Sequence, residues 1–278
     1  MDFSKTKRIV LAAFLTCLIV GGTQVLSMAQ DIHFKAKKGF INQPDGGVVP
    51  MWGFSLDGDF RYPGPTIDVM QNEVVNVYLQ NIDVPEPVSI IFFGQEGVSN
   101  QDPVYVTTDG TTTTSAGDKR SLRSMAAEAL PGGAEILYTF TANRAGTYYY
   151  QSGTHADEQI DMGLFGGIIV RPTGYNATSN KIAYANCSNC GYDREYLFLL
   201  SSVDSIQHNR VEAGLPYEST EYLPGYWFIN GRSFPDTLES NYPDSGHYKN
   251  QPMTALVKSY PGERLLFRTA LNVSIHFS

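Results

Sequence analysis

The sequence is short of cysteine, of basic clusters and of helical periodicity, and each shortage removes a class of protein. Three cysteines occur in 278 residues: Cys17, Cys187 and Cys190. Cys17 falls in the N-terminal leader described below. The other two are spaced CSNC, but a thioredoxin-like redox role needs a βαβ setting, and Tyr184 to Asp193 reads as a linker. A zinc site could borrow His208, yet a fourth ligand is lacking. A local disulfide is the first expectation for this pair and free thiols the second, because export favours oxidation.

No Lys/Arg stripe follows the leader, so nothing could track a phosphate backbone, and nucleic acid is excluded as a partner. The formal charge is −8; loss of Lys5, Lys7, Arg8 and Asp2 with residues 1–29 takes it to −10. Long apolar runs are also scarce. The run Ile9 to Val20 follows Lys5, Lys7 and Arg8 and precedes the small residues of Ser27-Met28-Ala29, which is the pattern of a cleavable export signal. It is shorter than the roughly 20 residues that span a bilayer, so a stable membrane span after cleavage is not expected. The mature chain would start at Gln30 and be secreted or periplasmic.

What remains is a succession of short β-like runs broken by turn residues. Phe40-Ile41 and Val48-Val49 flank a turn at Gln43 to Gly47 and predict a hairpin. Val75, Val77 and Leu79 share one face of a half-buried strand, as do Ile136, Tyr138 and Phe140. Val88 to Gly94 reads as a run buried on both faces. Gly97 to Leu130, rich in Thr, Ser, Gly and Asp, reads as a surface excursion, preferred over the alternative of a helical turn or two in SLRSMAAEAL. Gly146 to Pro172 reads as strand, polar loop, strand. Residues 173–192 lack apolar periodicity and mark a domain boundary. Strands are then expected in Glu195 to Val203, Tyr226 to Ile229, Ala255 to Val257 and Leu265 to Phe267. The final run, Asn272 to Ser278, reads as a strand of a truncated reading frame. The expected fold is all-β, with residues 30–172 as one sandwich and 193–278 as a second, incomplete one.

Four fragments in order carry a resemblance. Tyr62-Pro63-Gly64-Pro65-Thr66, Gly146-Thr147-Tyr148-Tyr149-Tyr150, Gly163 to Val170 and Pro261-Gly262-Glu263-Arg264 are similar to segments of the multicopper oxidases, exported enzymes built of tandem cupredoxin domains. The resemblance implies Greek-key β-sandwiches, a copper cofactor and oxidation coupled to dioxygen reduction. It also implies C-terminal cupredoxin domains, beyond residue 278, as the partners that bring the copper sites. In the family, HxH pairs in the first domain serve a trinuclear cluster, because alternate strand residues share a face.

The family's SIHWHG frame resembles Ser89 to Gly94, and its YHSH frame resembles Tyr150 to Gly153. Ile91, Phe93, Gln151 and Gly153 therefore stand at the four histidine positions, and none is a copper donor of useful strength. His155 with Asp157, Glu158 and Asp161 could bind a metal, but a solvated acidic loop is the favoured reading. His33, His208 and His247 read as surface residues. His276, a strand's length past the PGER-like turn, is implied as the first member of a His-rich copper motif and is the one metal-site candidate. The alternative to an oxidase portion is a copper-free binding or structural module that uses Gly97 to Leu130 or the aromatics around Trp227. Asn176-Ala177-Thr178, Asn186-Cys187-Ser188 and Asn272-Val273-Ser274 fit the N-glycosylation pattern.

Overall fold

A computed structural model describes residues 29–56, 58–114, 121–240 and 248–271. The leader, His247 and the His276 candidate lie outside these residues. The strands run in order as β1 (Gln30–Asn42), β2 (Val48–Ser55), β3 (Ile67–Met70), β4 (Val74–Asn81), β5 (Ile91–Phe92) and β6 (Val104–Val106). They continue as β7 (Thr112–Thr113), β8 (Ser121–Ser124), β9 (Ile136–Thr141), β10 (Gly146–Gln151) and β11 (Phe165–Arg171). Last come β12 (Arg194–Val203), β13 (Tyr226–Ile229) and β14 (Leu265–Leu271), with helices α1 (Ala156–Asp161) and α2 (Ser205–Glu212).

Two four-stranded sheets, β2-β1-β4-β9 and β3-β11-β10-β5, pack face to face. Alternation places Val75, Val77 and Leu79 of β4 fully inside, against Phe34, Tyr138, Tyr150, Ile168 and Val170 from both sheets. The expected hairpin is present, with Ile41 opposite Val49. Every residue of β11 is buried, because its sheet is covered twice. One face looks into this sandwich core. The other meets a third sheet, β13-β12-β14, through a second cluster of Ile41, Met51, Tyr62, Phe165, Leu199 and Phe228. Gly167 permits that approach, since a Cβ there would lie 2.9 Å from Leu197 Cδ2.

Three expectations need correction, and one alternative falls with them. Val88 to Gly94 forms only a two-residue strand, and Phe93 is 37% exposed; it turns outward to stack on Tyr149 at 4.4 Å. Gly97 to Leu130 is more than an excursion, for β6, β7 and β8 make a small sheet and Ala126 and Ala129 are fully buried in the sandwich core. SLRSMAAEAL has no helical turn, because Ala129 pairs with Val88 through two backbone hydrogen bonds of 2.8 and 3.0 Å. Ala255 to Val257 is not a strand.

Candidate functional site

The β10–β11 connection is the candidate site. Ladder pairing brings Gln151 opposite Ile91 and Tyr150 opposite Phe92. A Cβ on Gly153 would lie 3.0 Å from Ser89 Oγ and 3.1 Å from Ile91 Cγ2. Three of the four histidine-equivalent positions therefore meet at one point, and Phe93 extends the row outward. The frame of a metal site is kept, while the side chains filling it are a hydrocarbon, a hydrogen atom and an amide. Copper does not fit this donor set. Among the described residues no group of three or more His, Cys, Asp or Glu is placed to hold a metal ion.

Hydroxyls knit the loop where ligands would otherwise converge. Thr154 Oγ1 lies 3.0 Å from Ser89 Oγ, Ser124 Oγ and Glu128 Oε1, and Ser89 Oγ lies 2.9 Å from Ser124 Oγ. Ser89, Ser124, Ser152 and Thr154 are all fully buried. Ser152 Oγ donates to Gln159 Oε1 at 2.6 Å, and Gln159 Nε2 donates to Glu86 Oε1 at 2.6 Å and Pro87 O at 2.9 Å. Arg123 Nε closes the outer end on Glu128 at 3.2 Å. Such a network keeps buried polar groups satisfied and fixes the loop. Sequence reasoning missed it, since its members come from three separate segments, 86–89, 123–128 and 152–159, and carry no motif.

His155 starts α1 with a left-handed backbone at φ 36° and ψ 58°. Its Nδ1 lies 2.7 Å from Glu86 Oε2. The acids behind it do not share one environment, which corrects the solvated-loop expectation. Asp157 is exposed, but Asp161 is buried and accepts the Tyr217 hydroxyl. Burial, together with nearby Glu86, pushes the Glu158 carboxyl up to about 7.

The histidines do not assemble. His33 is exposed and stacks on Tyr78 at 4.6 Å. His208, expected at the surface, is fully buried in α2, and its Nδ1 donates to Pro50 O at 2.7 Å. A carbonyl can only accept, so the proton sits on Nδ1 of the neutral ring. Burial lowers its pKa to about 4. Asp204 caps the helix, its Oδ1 accepting from Ile206 N–H at 2.8 Å and its Oδ2 from Leu223 N–H at 2.8 Å. Cys187 and Cys190 form a disulfide.

Comparisons with known proteins agree with this frame. Residues 42–174 match the multicopper oxidase family. L-ascorbate oxidase from Nicotiana tabacum is 30% identical over 221 residues, which are 78% of this chain and 33% of that protein. The chain thus spans about a third of the length of that curated relative. Among solved structures, blue copper oxidase from Nitrosomonas europaea superposes with a TM-score of 0.56 at 20% identity, covering 77% of this chain and 57% of that one. Copper nitrite reductase from the same organism gives 0.52 at 19%, over 88% and 68%. Those identities speak for the fold, a cupredoxin-like β-sandwich. With the ordered motifs and the ladder between β5 and β10, the matched segment, residues 42–174, is a domain of the multicopper oxidase family.

Proposed function

We propose that this chain is the N-terminal portion of an exported multicopper oxidase whose copper is held by residues outside 30–271, and that the region described is the scaffold on which copper-bearing domains pack. The observation that carries this reading is the ligand frame itself: Ile91, Gln151 and Gly153 meet as ligands would, and Ile91 and Gly153 bring no donor atom. Residues 30–172 would be the first cupredoxin domain, 173–192 the linker, and the rest the opening of the second. Copper in the whole protein would take electrons from a donor and pass them to dioxygen.

The third sheet supports the scaffold role. Its inner face is buried, while its outer face carries Tyr196, Phe198 and Phe267 in stacked contact. Trp227 and Phe234 beside them are 67% and 74% exposed, around a groove of about 450 Å³. A sheet apolar on both sides is normally covered on both. Further strands of the second domain would cover it.

Reading the coding sequence past codon 278 and assaying the whole product for dioxygen consumption with a phenolic or metal-ion donor tests the proposal. HxH and Cys-His segments together with turnover are expected. Their absence would leave the second reading, a copper-free exported module, which the apolar ligand positions favour.

A further inference from the structure

Between β11 and β12 the chain makes a small closed loop from Asn176 to Asn180. Its ends are tied by Asn176 N–H to Asn180 O at 2.9 Å and Asn180 N–H to Asn176 O at 3.0 Å. All its residues are exposed. Asn176 Oδ1 accepts the backbone N–H groups of Thr178 and Ser179, both at 2.9 Å. Asn176 Nδ2 has no partner among the described residues, in a loop whose residues are all exposed. Nearby, the Cys187–Cys190 disulfide is a bond of oxidising compartments, where oligosaccharide transfer also takes place.

We propose that Asn176 is an N-glycan acceptor, read together with Thr178 by a transferase whose donor is a polyprenyl-pyrophosphate-linked oligosaccharide. In the transfer, Nδ2 bonds to the anomeric carbon of the sugar as the bond from that carbon to the pyrophosphate oxygen breaks. One Nδ2 proton passes to a base of the transferase, the lipid pyrophosphate leaves, and no electrons change hands. The two N–H groups aimed at Oδ1 stabilise the charge that gathers there while Nδ2 gives up its proton. The Thr178 side chain stays exposed for recognition.

The neighbouring sequon is built differently. Asn186 is also exposed, but its backbone is left-handed at φ 55°, and the next residue is locked in the disulfide ring. Ser188 lies inside that ring, so Asn186 and its hydroxyl partner cannot be drawn into one extended stretch. The structure therefore assigns acceptor status to Asn176 and withholds it from Asn186 while the ring is closed.

The test is site-resolved mass spectrometry of the full chain recovered from a glycosylating secretory host, with peptide-N-glycosidase release in heavy-oxygen water. Labelled aspartate is expected at position 176 and not at 186. Thr178→Ala keeps the backbone bond to Oδ1 and is expected to abolish the modification, whereas Thr178→Ser is expected to keep it. Cys190→Ser opens the ring and is expected to expose Asn186 to transfer. Unmodified Asn176 in the secreted wild type, or modification that survives Thr178→Ala, overturns the proposal. Equal occupancy of Asn186 with the disulfide intact overturns the selectivity.

Discussion

Thr154 shows how much of this site depends on single polar atoms. Its Oγ1 touches Ser89, Ser124 and Glu128, all at 3.0 Å, in a region closed to water. Thr154→Val keeps the shape and removes the hydroxyl, which leaves those partners short of a hydrogen bond. An unmade buried bond costs about 1–3 kcal/mol. We expect a loss of about 2 kcal/mol in denaturant unfolding, unchanged by a chelator. A wild-type protein that chelator destabilises by the same amount would show that metal, not hydroxyls, holds the loop.

His208 gives a pH signature of known sign. Its folded pKa of about 4 lies below the ordinary 6.5, so the unfolded chain takes up the proton first as pH falls. Its contribution is complete above pH 6.5, is lost progressively toward pH 4, and amounts to about 3 kcal/mol at most. Glu158 acts in the opposite sense: raised to about 7 from 4.5, it contributes below pH 4.5 and loses that contribution as pH rises to 7. His208→Asn retains a donor toward Pro50 O and removes the titration. The stability difference between wild type and this variant should therefore shrink or reverse between pH 6.5 and pH 4. A difference that stays constant across the window would refute the buried neutral imidazole.

At the scale of elements, the strands flanking the candidate site were legible and their contents only partly so. Gly146 to Tyr150 and Leu164 to Val170 announce strands through aromatic and β-branched runs, and Tyr62 to Thr66 announces its turn through proline and glycine. The ligand-equivalent positions were readable because motif spacing survives when residue types change. The hydroxyl network was not, since pairing of Ser89, Ser124 and Thr154 exists only after three segments fold together. The burial of His208 escaped for a related reason: α2 spans Ser205–Glu212 with only Gln207, His208 and Val211 buried, so no apolar stripe marks which face docks on β2.

Gly163 ends the loop element and fixes its exit. It has φ 118°, and a Cβ there would lie 2.4 Å from Trp52 O and 2.9 Å from Tyr62 Cδ2. Backbone of β2 cannot yield easily, because Trp52 N–H is already bonded to Met162 O at 2.7 Å. Gly163→Ala should destabilise by more than about 1 kcal/mol, and it should expose the β10–β11 loop to proteolysis before the rest of the chain. Wild-type stability in this variant would show that the turn tolerates a side chain.

At the scale of the molecule, the question is what couples the sandwich to the third sheet. Apolar contact between Phe165, Leu199 and Phe228 supplies part of the answer, and a buried charge chain supplies the rest. Arg171 of β11 meets Asp68 of β3 at 2.6 Å and Glu195 of β12 at 2.5 Å, and Arg268 of β14 meets Glu195 at 2.5 Å and Thr147 of β10 at 2.8 Å. Burial pushes the Glu195 carboxyl up, and the two guanidinium groups more than offset it, leaving the pKa below its ordinary value. One carboxylate thus bridges two arginines that are 7% and 5% exposed, and of the two only Arg171 has a second carboxylate among the described residues, Asp68. Nothing in the sequence links these positions, which lie on strands that pack only in three dimensions. Removing a partner from such a chain leaves charge buried without compensation, at a cost of about 3–5 kcal/mol. Glu195→Ala should therefore lose about 3 kcal/mol and split a single thermal transition into two, with the third sheet melting first. Because the pKa is lowered, the Glu195 contribution is present above its unfolded value and fades on acidification, so the gap between wild type and variant should narrow at low pH. A variant that melts in one transition with less than about 1 kcal/mol lost would assign the coupling to apolar contact alone.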